Sequence, residues 1–501
     1  MGRTLAAVNA LRTLAGHTAV YGMSHIVGRL LYFLLTPFYT RVFTQQEFGQ
    51  VTELYALVGF ALIVLTHGME TALFRFLKTD GRRSTVFSTA MASVGAAAGL
   101  FLLLALSFQS SIASALDYSG QVEFIRWFAL ILFLDVLSAV PLAKLRADER
   151  PWLFAGVRLT DIGVNLGLNI FFLVVCRQAH LAGADTPLAR LYDPAIGVGY
   201  VFLANLVASA VKFVLLAPQM RHLTRHLDTG LYRRMLGYAL PLILVGMAGM
   251  VNETLDRAVM KHLLPHGPQE NLRQLGIYGA VYKLSMFMAL FVQAFRYAAE
   301  PFFFSKAGDA DSPRLYAAVL KYFVIAGALV FLVVGLFVDV FALFIGPAFR
   351  SGLHILPILL LANLLLGVVV NLSIWYKLTD RTLMGAGVVG VGAVVTIVLN
   401  VVLVPRIGYA GAAWATLASY LVIAGLSLAL GRRFYPVPYA YGRLTAILVG
   451  AIGLFLLLTR VIHPALPLNW MEQAASVVGI IGFAALVVNA EREELRGLLK
   501  R

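Results

Sequence analysis

PLILVGMAGMVNETLDRAVMKHLL (241–264), the polar break PHGPQENLRQ (265–274) and LGIYGAVYKLSMFMALFVQAFRYAAEPFFF (275–304) together decide the fold. Each apolar run exceeds the roughly 20 residues that cross a bilayer. Yet Asn252, Glu253, Asp256, Arg257, Lys283, Gln293, Arg296 and Glu300 lie in or at the ends of these runs. A charge at the centre of a spanning helix costs roughly 2.5 to 3.5 kcal/mol on insertion scales, so such side chains are expected to face protein or a watery cavity. The pattern implies a transporter lumen.

The rest of the chain extends this reading. Its 501 residues are 60% hydrophobic and only 13% charged, far from a soluble composition, so the sequence predicts an all-α polytopic membrane protein. The formal net charge of +15 is scattered between apolar runs with no basic stripe, which excludes nucleic acid as a partner. Cys176 is the one cysteine, so no disulfide or zinc cluster is encoded. No cofactor is expected.

Apolar runs of spanning length recur at 18–40, 50–73, 85–107, 123–145, 153–176, 196–217, 234–256, 275–300, 316–338, 353–376, 383–404, 409–430, 442–460 and 472–489, which predicts fourteen helices. The N-terminus lacks a short apolar core followed by a small-residue cleavage site, so the first run is expected to remain a helix. Counting Lys and Arg in alternate loops gives 28 on one side and 10 on the other, which places both termini in the cytoplasm.

A weak repeat supports two halves. Phe48-Gly49 followed by Tyr55 matches Leu275-Gly276 followed by Tyr282 at an offset of 227. The expected organisation is a six-helix bundle (1–217), a cytoplasmic linker (218–233), a second six-helix bundle related to the first by a pseudo-twofold (234–430), and two C-terminal helices with a tail (431–501).

Several side chains are candidates for chemistry. The first run carries Tyr21, His25, Arg29, Tyr32, Thr36 and Tyr39 in one helical stripe, with Arg29 near mid-span. Arg29 is read either as a lumen cation or as a structural arginine paired through Asp135 or Asp161. Arg158, Asp161, Asn165 and Asn169 share a face of the fifth run, which either lines a cavity or fastens that helix to a neighbour. Asp135 and Asp161 are candidates for ion coupling. Glu253, Arg257 and Lys261 stack at i, i+4 and i+8 beside Asn252 and Asp256, as a gate latch or a solvated face. Lys283 lies too deep to snorkel and is a candidate lumen cation. Gln293, Arg296 and Glu300 read as an interfacial group.

The opening stretch also resembles a known family. Pro241, N-E-x-x-D-R at 252–257 and G-x-Y-x-x-x-x-K at 276–283 are similar to the polysaccharide transport family of the multidrug/oligosaccharidyl-lipid/polysaccharide exporter superfamily. GRLLYFLLTPFYTRVFTQQEFG (28–49), KLRADERPWLFAGVRL (144–159) and VPRIGYAGAAWATLASY (404–420) resemble further stretches of that family. The resemblance implies a flippase, not an enzyme, that carries polyprenyl-pyrophosphate-linked oligosaccharide repeat units across a bacterial inner membrane for surface polysaccharide assembly. A polysaccharide polymerase and a chain-length regulator are the implied partners, with membrane lipid around the chain. Two rivals stand beside it: a cation-coupled drug exporter or peptidoglycan-precursor flippase of the same superfamily, and a membrane glycosyltransferase or polymerase. The cations Arg29 and Lys283 argue against a lumen for cationic drugs, and the short outer loops argue against an enzyme. No G-x-x-x-x-G-K-[ST] motif occurs, so no ATP-hydrolysing motor is encoded.

Overall fold

A computed structural model describes residues 26–183, 186–224, 228–306, 309 and 311–491, with the side chains of 222, 301, 304 and 305 outside the description. Among the described residues no strand occurs. The first expected run is described from Ile26 and is helical over 26–42 (α1). There follow α2 (Gln45–Thr79, interrupted at His67 and Gly68), α3 (Arg83–Ser107), α4 (Val122–Ala147), α5 (Pro151–Leu181), α6 (Gly199–Arg221) and α7 (Thr229–Leu263). Next come α8 (Pro268–Leu284 and Met286–Ser305, meeting at a 45° bend) and α9 (Ser312–Leu336). The chain ends with α10 (Pro347–Leu378), α11 (Thr382–Ile407), α12 (Tyr409–Phe434), α13 (Tyr441–Ala465) and α14 (Asn469–Ala490).

Twelve of these helices are long and apolar enough to cross a bilayer, and the bent α8 brings thirteen, among the described residues. The thirteen runs expected from residue 50 onward fall on them one for one. The count of fourteen therefore turns on the first run. Leu103, Leu244, Leu383, Val478 and Leu486 are all more than half exposed, a surface that suits lipid chains and not water.

The chain divides into two compact units between Met250 and Val251, inside α7. The first half of α7 belongs to the first unit, where Leu231, Met235 and Ala239 join a core with Met69, Leu73, Phe87, Val94 and Val136. The second unit has its own core of Ala362, Val388, Leu417, Tyr420 and Ile423, drawn from α10, α11 and α12.

Local sequence accounts for the joints. Thr44 and Glu47 form a reciprocal capping box at the start of α2: the Glu47 N–H donates to Thr44 Oγ1 at 3.3 Å and the Thr44 N–H to Glu47 Oε2 at 2.8 Å. Pro405 lies inside the last turn of α11, and the helix runs on to Ile407 before Gly408 turns the chain at φ +65°. At Gly411 an added Cβ would meet the backbone carbonyl carbon of Leu403 at 2.6 Å, so only glycine permits this close return of α12 onto α11.

Two lysines counted toward the basic side are not loop charges. Lys212 is 6% exposed within α6 and Lys321 4% within α9, each drawn into an ion pair. Side-chain position along a spanning helix, which loop counting ignores, decides this.

Candidate functional site

In the first unit the polar face of α5 is buried as one ladder. Asp161, Asn165 and Asn169 are 5%, 3% and 0% exposed. Tyr39 of α1 donates its hydroxyl to Asn169 Oδ1 at 2.8 Å, and Asn169 Nδ2 donates to Asn165 Oδ1 at 2.8 Å. Asn165 Nδ2 reaches Asn205 Oδ1 of α6 at 3.3 Å, and Asn205 Nδ2 reaches the Tyr55 hydroxyl of α2 at 2.9 Å. Each amide thus both donates and accepts, which is the condition for a tolerable buried polar chain.

Below this chain the ladder ends in charge. Lys212 Nζ lies 2.8 Å from Asp135 Oδ1 of α4 and 3.4 Å from Asp161 Oδ2 of α5. Ser209, one turn away on α6, donates to Asp135 Oδ1 at 2.6 Å. Two carboxylates therefore share one ammonium ion inside the bundle. The charged groups that act on the Tyr32 hydroxyl are Asp161, Asp135 and Arg158, so Tyr32 of α1 belongs to the same neighbourhood.

The sequence reading offered an arginine as the partner of these acids and counted Lys212 as a loop cation. The three charged groups Asp135, Asp161 and Lys212 lie on separate helices, α4, α5 and α6, so no spacing rule connects them. The i, i+3 pair of Ser209 and Lys212 on α6 was the available signal.

In the second unit the N-E-x-x-D-R residues divide between two faces of α7. Asn252 and Asp256 are buried, whereas Glu253 is exposed. Thr396 of α11 and Ser419 of α12 both donate to Asn252 Oδ1, at 2.8 and 3.2 Å, and Asn252 Nδ2 donates to the Val389 carbonyl at 3.1 Å. Tyr278 of α8 donates to Asp256 Oδ2, and Arg257 Nε sits 3.3 Å from Asp256 Oδ1. The Arg257 guanidinium lies 3.9 Å from the centre of the Tyr282 ring. Arg257 thus turns to the neighbouring Asp256 and to the Glu253 backbone carbonyl. Lys261 is buried, and Asn271 closes the end of α7 by donating to the carbonyls of Lys261, Leu264 and His266 at 2.8, 2.9 and 3.1 Å.

Lys283 is half-buried in the last turn before the bend of α8. The last turn is the negative end of a helix segment, which favours a cationic residue there. Ser285 at the bend accepts a 3.1 Å hydrogen bond from Asn363 of α10, which pins the break. Arg29 occupies an exposed position on α1. His25 lies outside the described residues, as do Arg225 and His226 of the expected linker. Glu300 pairs with both Arg296 at 3.4 Å and Lys377 at 2.7 Å; the group read from sequence is Gln293, Arg296 and Glu300, without Lys377. No group of His, Cys, Asp and Glu able to hold a metal ion occurs among the described residues.

Comparison with known proteins agrees with this architecture. Residues 14–141 match a family model described as "Polysaccharide biosynthesis protein". No curated protein matches the sequence. The fold is similar to that of the lipid II flippase MurJ in its inward closed conformation, at TM-score 0.71 and 10% identity over 94% of this chain and 99% of that one. It is also similar to an inward-facing multidrug resistance MATE family transporter of the MOP superfamily, at TM-score 0.61 and 13% identity over 83% and 94%. The MATE multidrug transporter DinF-BH gives TM-score 0.61 at 14% identity over 85% and 96%. At these identities the likeness establishes the fold. The family match and the fold together support the resemblance to the polysaccharide transport family, and the similar proteins are transporters and flippases, not enzymes.

Proposed function

We propose that the chain is a flippase that moves polyprenyl-pyrophosphate-linked oligosaccharide across a bacterial inner membrane, with both termini in the cytoplasm. The observation that carries this reading is the match of residues 14–141 to a polysaccharide biosynthesis family, on a chain whose fold is that of lipid and drug transporters. The carried headgroup is polar and dianionic, and the cations Arg29 and Lys283, one in each unit, suit it. Arg offers a planar fork for two phosphate oxygens, and Lys a point charge at a helix end.

Alternating access of two helix bundles gives the transport cycle, and the acids of the first unit give its coupling. Asp135 and Asp161 share Lys212, so this contact cluster holds one carboxylate more than it has ammonium ions. A proton or cation taken up there neutralises the excess charge and relaxes the three helices that hold it. Loading and release of that ion from opposite sides of the membrane would bias the two bundles between inward and outward states.

The test is cellular and biochemical. Arg29→Ala and Lys283→Ala are each expected to leave lipid-linked repeat units on the inner leaflet at normal protein level, with partial rescue by Arg29→Lys. Cysteine labelling in a Cys176→Ser background is expected to find 264–273 reactive from outside and 222–230 protected. Normal export by both alanine variants removes the cation assignment, and the reverse labelling pattern removes the orientation.

A further inference from the structure

The break in α2 opens a second polar place that none of the groups above uses. His67 and Gly68 adopt φ of +35° and +70° and split α2 into Gln45–Thr66 and Met69–Thr79. A cavity of about 320 Å³ lies at this split, within the first unit, with Thr66, Glu70, Thr71, Phe74, Arg146 and Ile243 on its walls. At about 30 Å³ per molecule that is room for roughly ten waters, or for a sugar ring with its hydration.

Its wall carries a donor and an acceptor side by side. Arg146 Nη2 donates to Glu70 Oε2 at 3.0 Å, and the two side chains are 34% and 38% exposed, so the pair is not sealed by packing. The guanidinium is held over the rings of Phe74 at 5.1 Å and Phe154 at 5.9 Å. The Arg146 Nε–H is buried without an acceptor from the described residues, so the chain does not saturate this group. Phe74 adds an apolar face to the same wall.

We infer that this cavity is a saccharide subsite, in which Glu70 accepts from one sugar hydroxyl and Arg146 donates to its neighbour. The inference rests on the flippase reading above and deepens it. The dyad has no net charge, so a neutral diol exchanges hydrogen bonds with both groups, whereas a phosphate at Arg146 would face the Glu70 carboxylate. An apolar lipid tail would take water from the pair and offer no hydrogen bond in return. C–H groups of a sugar ring can lie against Phe74. Arg146 is in the last turn of α4, at the end of the unit that carries the Arg82, Arg83 and Arg150 loops, which is the loading side in the proposed orientation.

The experiment compares two lipids on the full chain in nanodiscs: polyprenyl pyrophosphate bearing a disaccharide, and polyprenyl pyrophosphate without sugar. Wild-type protein is expected to bind the sugar-bearing lipid more tightly. Glu70→Gln and Ile243→Trp, the second filling the cavity while keeping both members of the pair, are each expected to cut that preference by about tenfold or more while leaving sugar-free lipid binding unchanged. A melting temperature measured on each variant identifies folded protein, and Ile243→Trp decides if Glu70→Gln does not fold. An unchanged preference in folded Ile243→Trp overturns the subsite and leaves the flippase reading standing. Failure of wild-type protein to bind either lipid overturns the flippase reading itself.

Discussion

The two units bury polar groups in different ways. Around Asn252 in the second unit the ties are two hydroxyls and one carbonyl, all neutral, and Asp256 pairs with one arginine, so within that contact the charges balance. In the first unit Asp135 and Asp161 compete for Lys212, and contact charges do not balance. A balanced set fastens helices and has little reason to change state. An unbalanced one is costly while dry and becomes cheaper when a proton or cation enters, so it is the one suited to drive a cycle. Arg158, half-buried one turn below Asp161, moderates this excess without touching it.

The comparison can be broken most forcefully at Lys212. Lys212→Met leaves the buried Asp161 and the half-buried Asp135 without their counter-ion and is expected to cost about 3 to 5 kcal/mol, measured by thermal unfolding in detergent. Adding Asp135→Asn and Asp161→Asn to it should recover most of that loss. A single variant as stable as wild type would show that the acids are already protonated and that no excess charge exists. In the second unit Asn252→Ala removes a tether and no charge, so about 1 to 3 kcal/mol is expected, with transport retained at reduced protein level.

A smaller change tests the α2 break that borders the first unit's cavity. Gly68 has φ +70°, and an added Cβ would lie 3.0 Å from Ala239 Cβ, so Gly68→Ala is expected to cost about 1 to 2 kcal/mol through left-handed strain. Equal stability would mean that the break relaxes into a continuous helix.

The smallest effect belongs to the exposed loops of the first unit that carry Asp80, Asp148 and Asp228. The side-chain hydrogen bond from Arg82 holds the Asp80 carboxyl below its ordinary range, and the Leu231 backbone N–H, followed by Arg82, does the same for Asp228. At Asp148 burial pushes upward, but Lys144 and Arg83 prevail and the net direction is down. Because these folded-state values are depressed, their contribution is present above about pH 4, the ordinary carboxylate value, and fades as pH falls below it. Acid titration of unfolding should show a shallow loss there, and Asp80→Asn should flatten it.

Much of the fold was legible because spanning helices are set by length and apolarity, which need no partner. The ladder of Asp161, Asn165 and Asn169 was legible for the same reason: one helix places them three to four residues apart, so all three face the same way. Lys212 was not. Its place is set by α4, α5 and α6 meeting in space, and a lysine near a helix end reads as a loop cation until those helices are packed. For Glu253, Arg257 and Lys261 spacing gives a shared face, but it could not say that Asp256 would contact the Arg257 guanidinium. Nor did run length show the α2 break, because His67-Gly68 lies inside a single run of spanning length.

Ion-coupled flipping is tested most directly in proteoliposomes loaded with a fluorescent polyprenyl-pyrophosphate disaccharide, with a sugar-directed quencher outside and an imposed proton gradient. Wild-type protein is predicted to move the lipid between leaflets faster with the gradient than without it, and Asp161→Asn to bind the lipid but lose that dependence. No movement of this lipid by wild-type protein, alongside gradient-driven export of a cationic dye, would contradict the account.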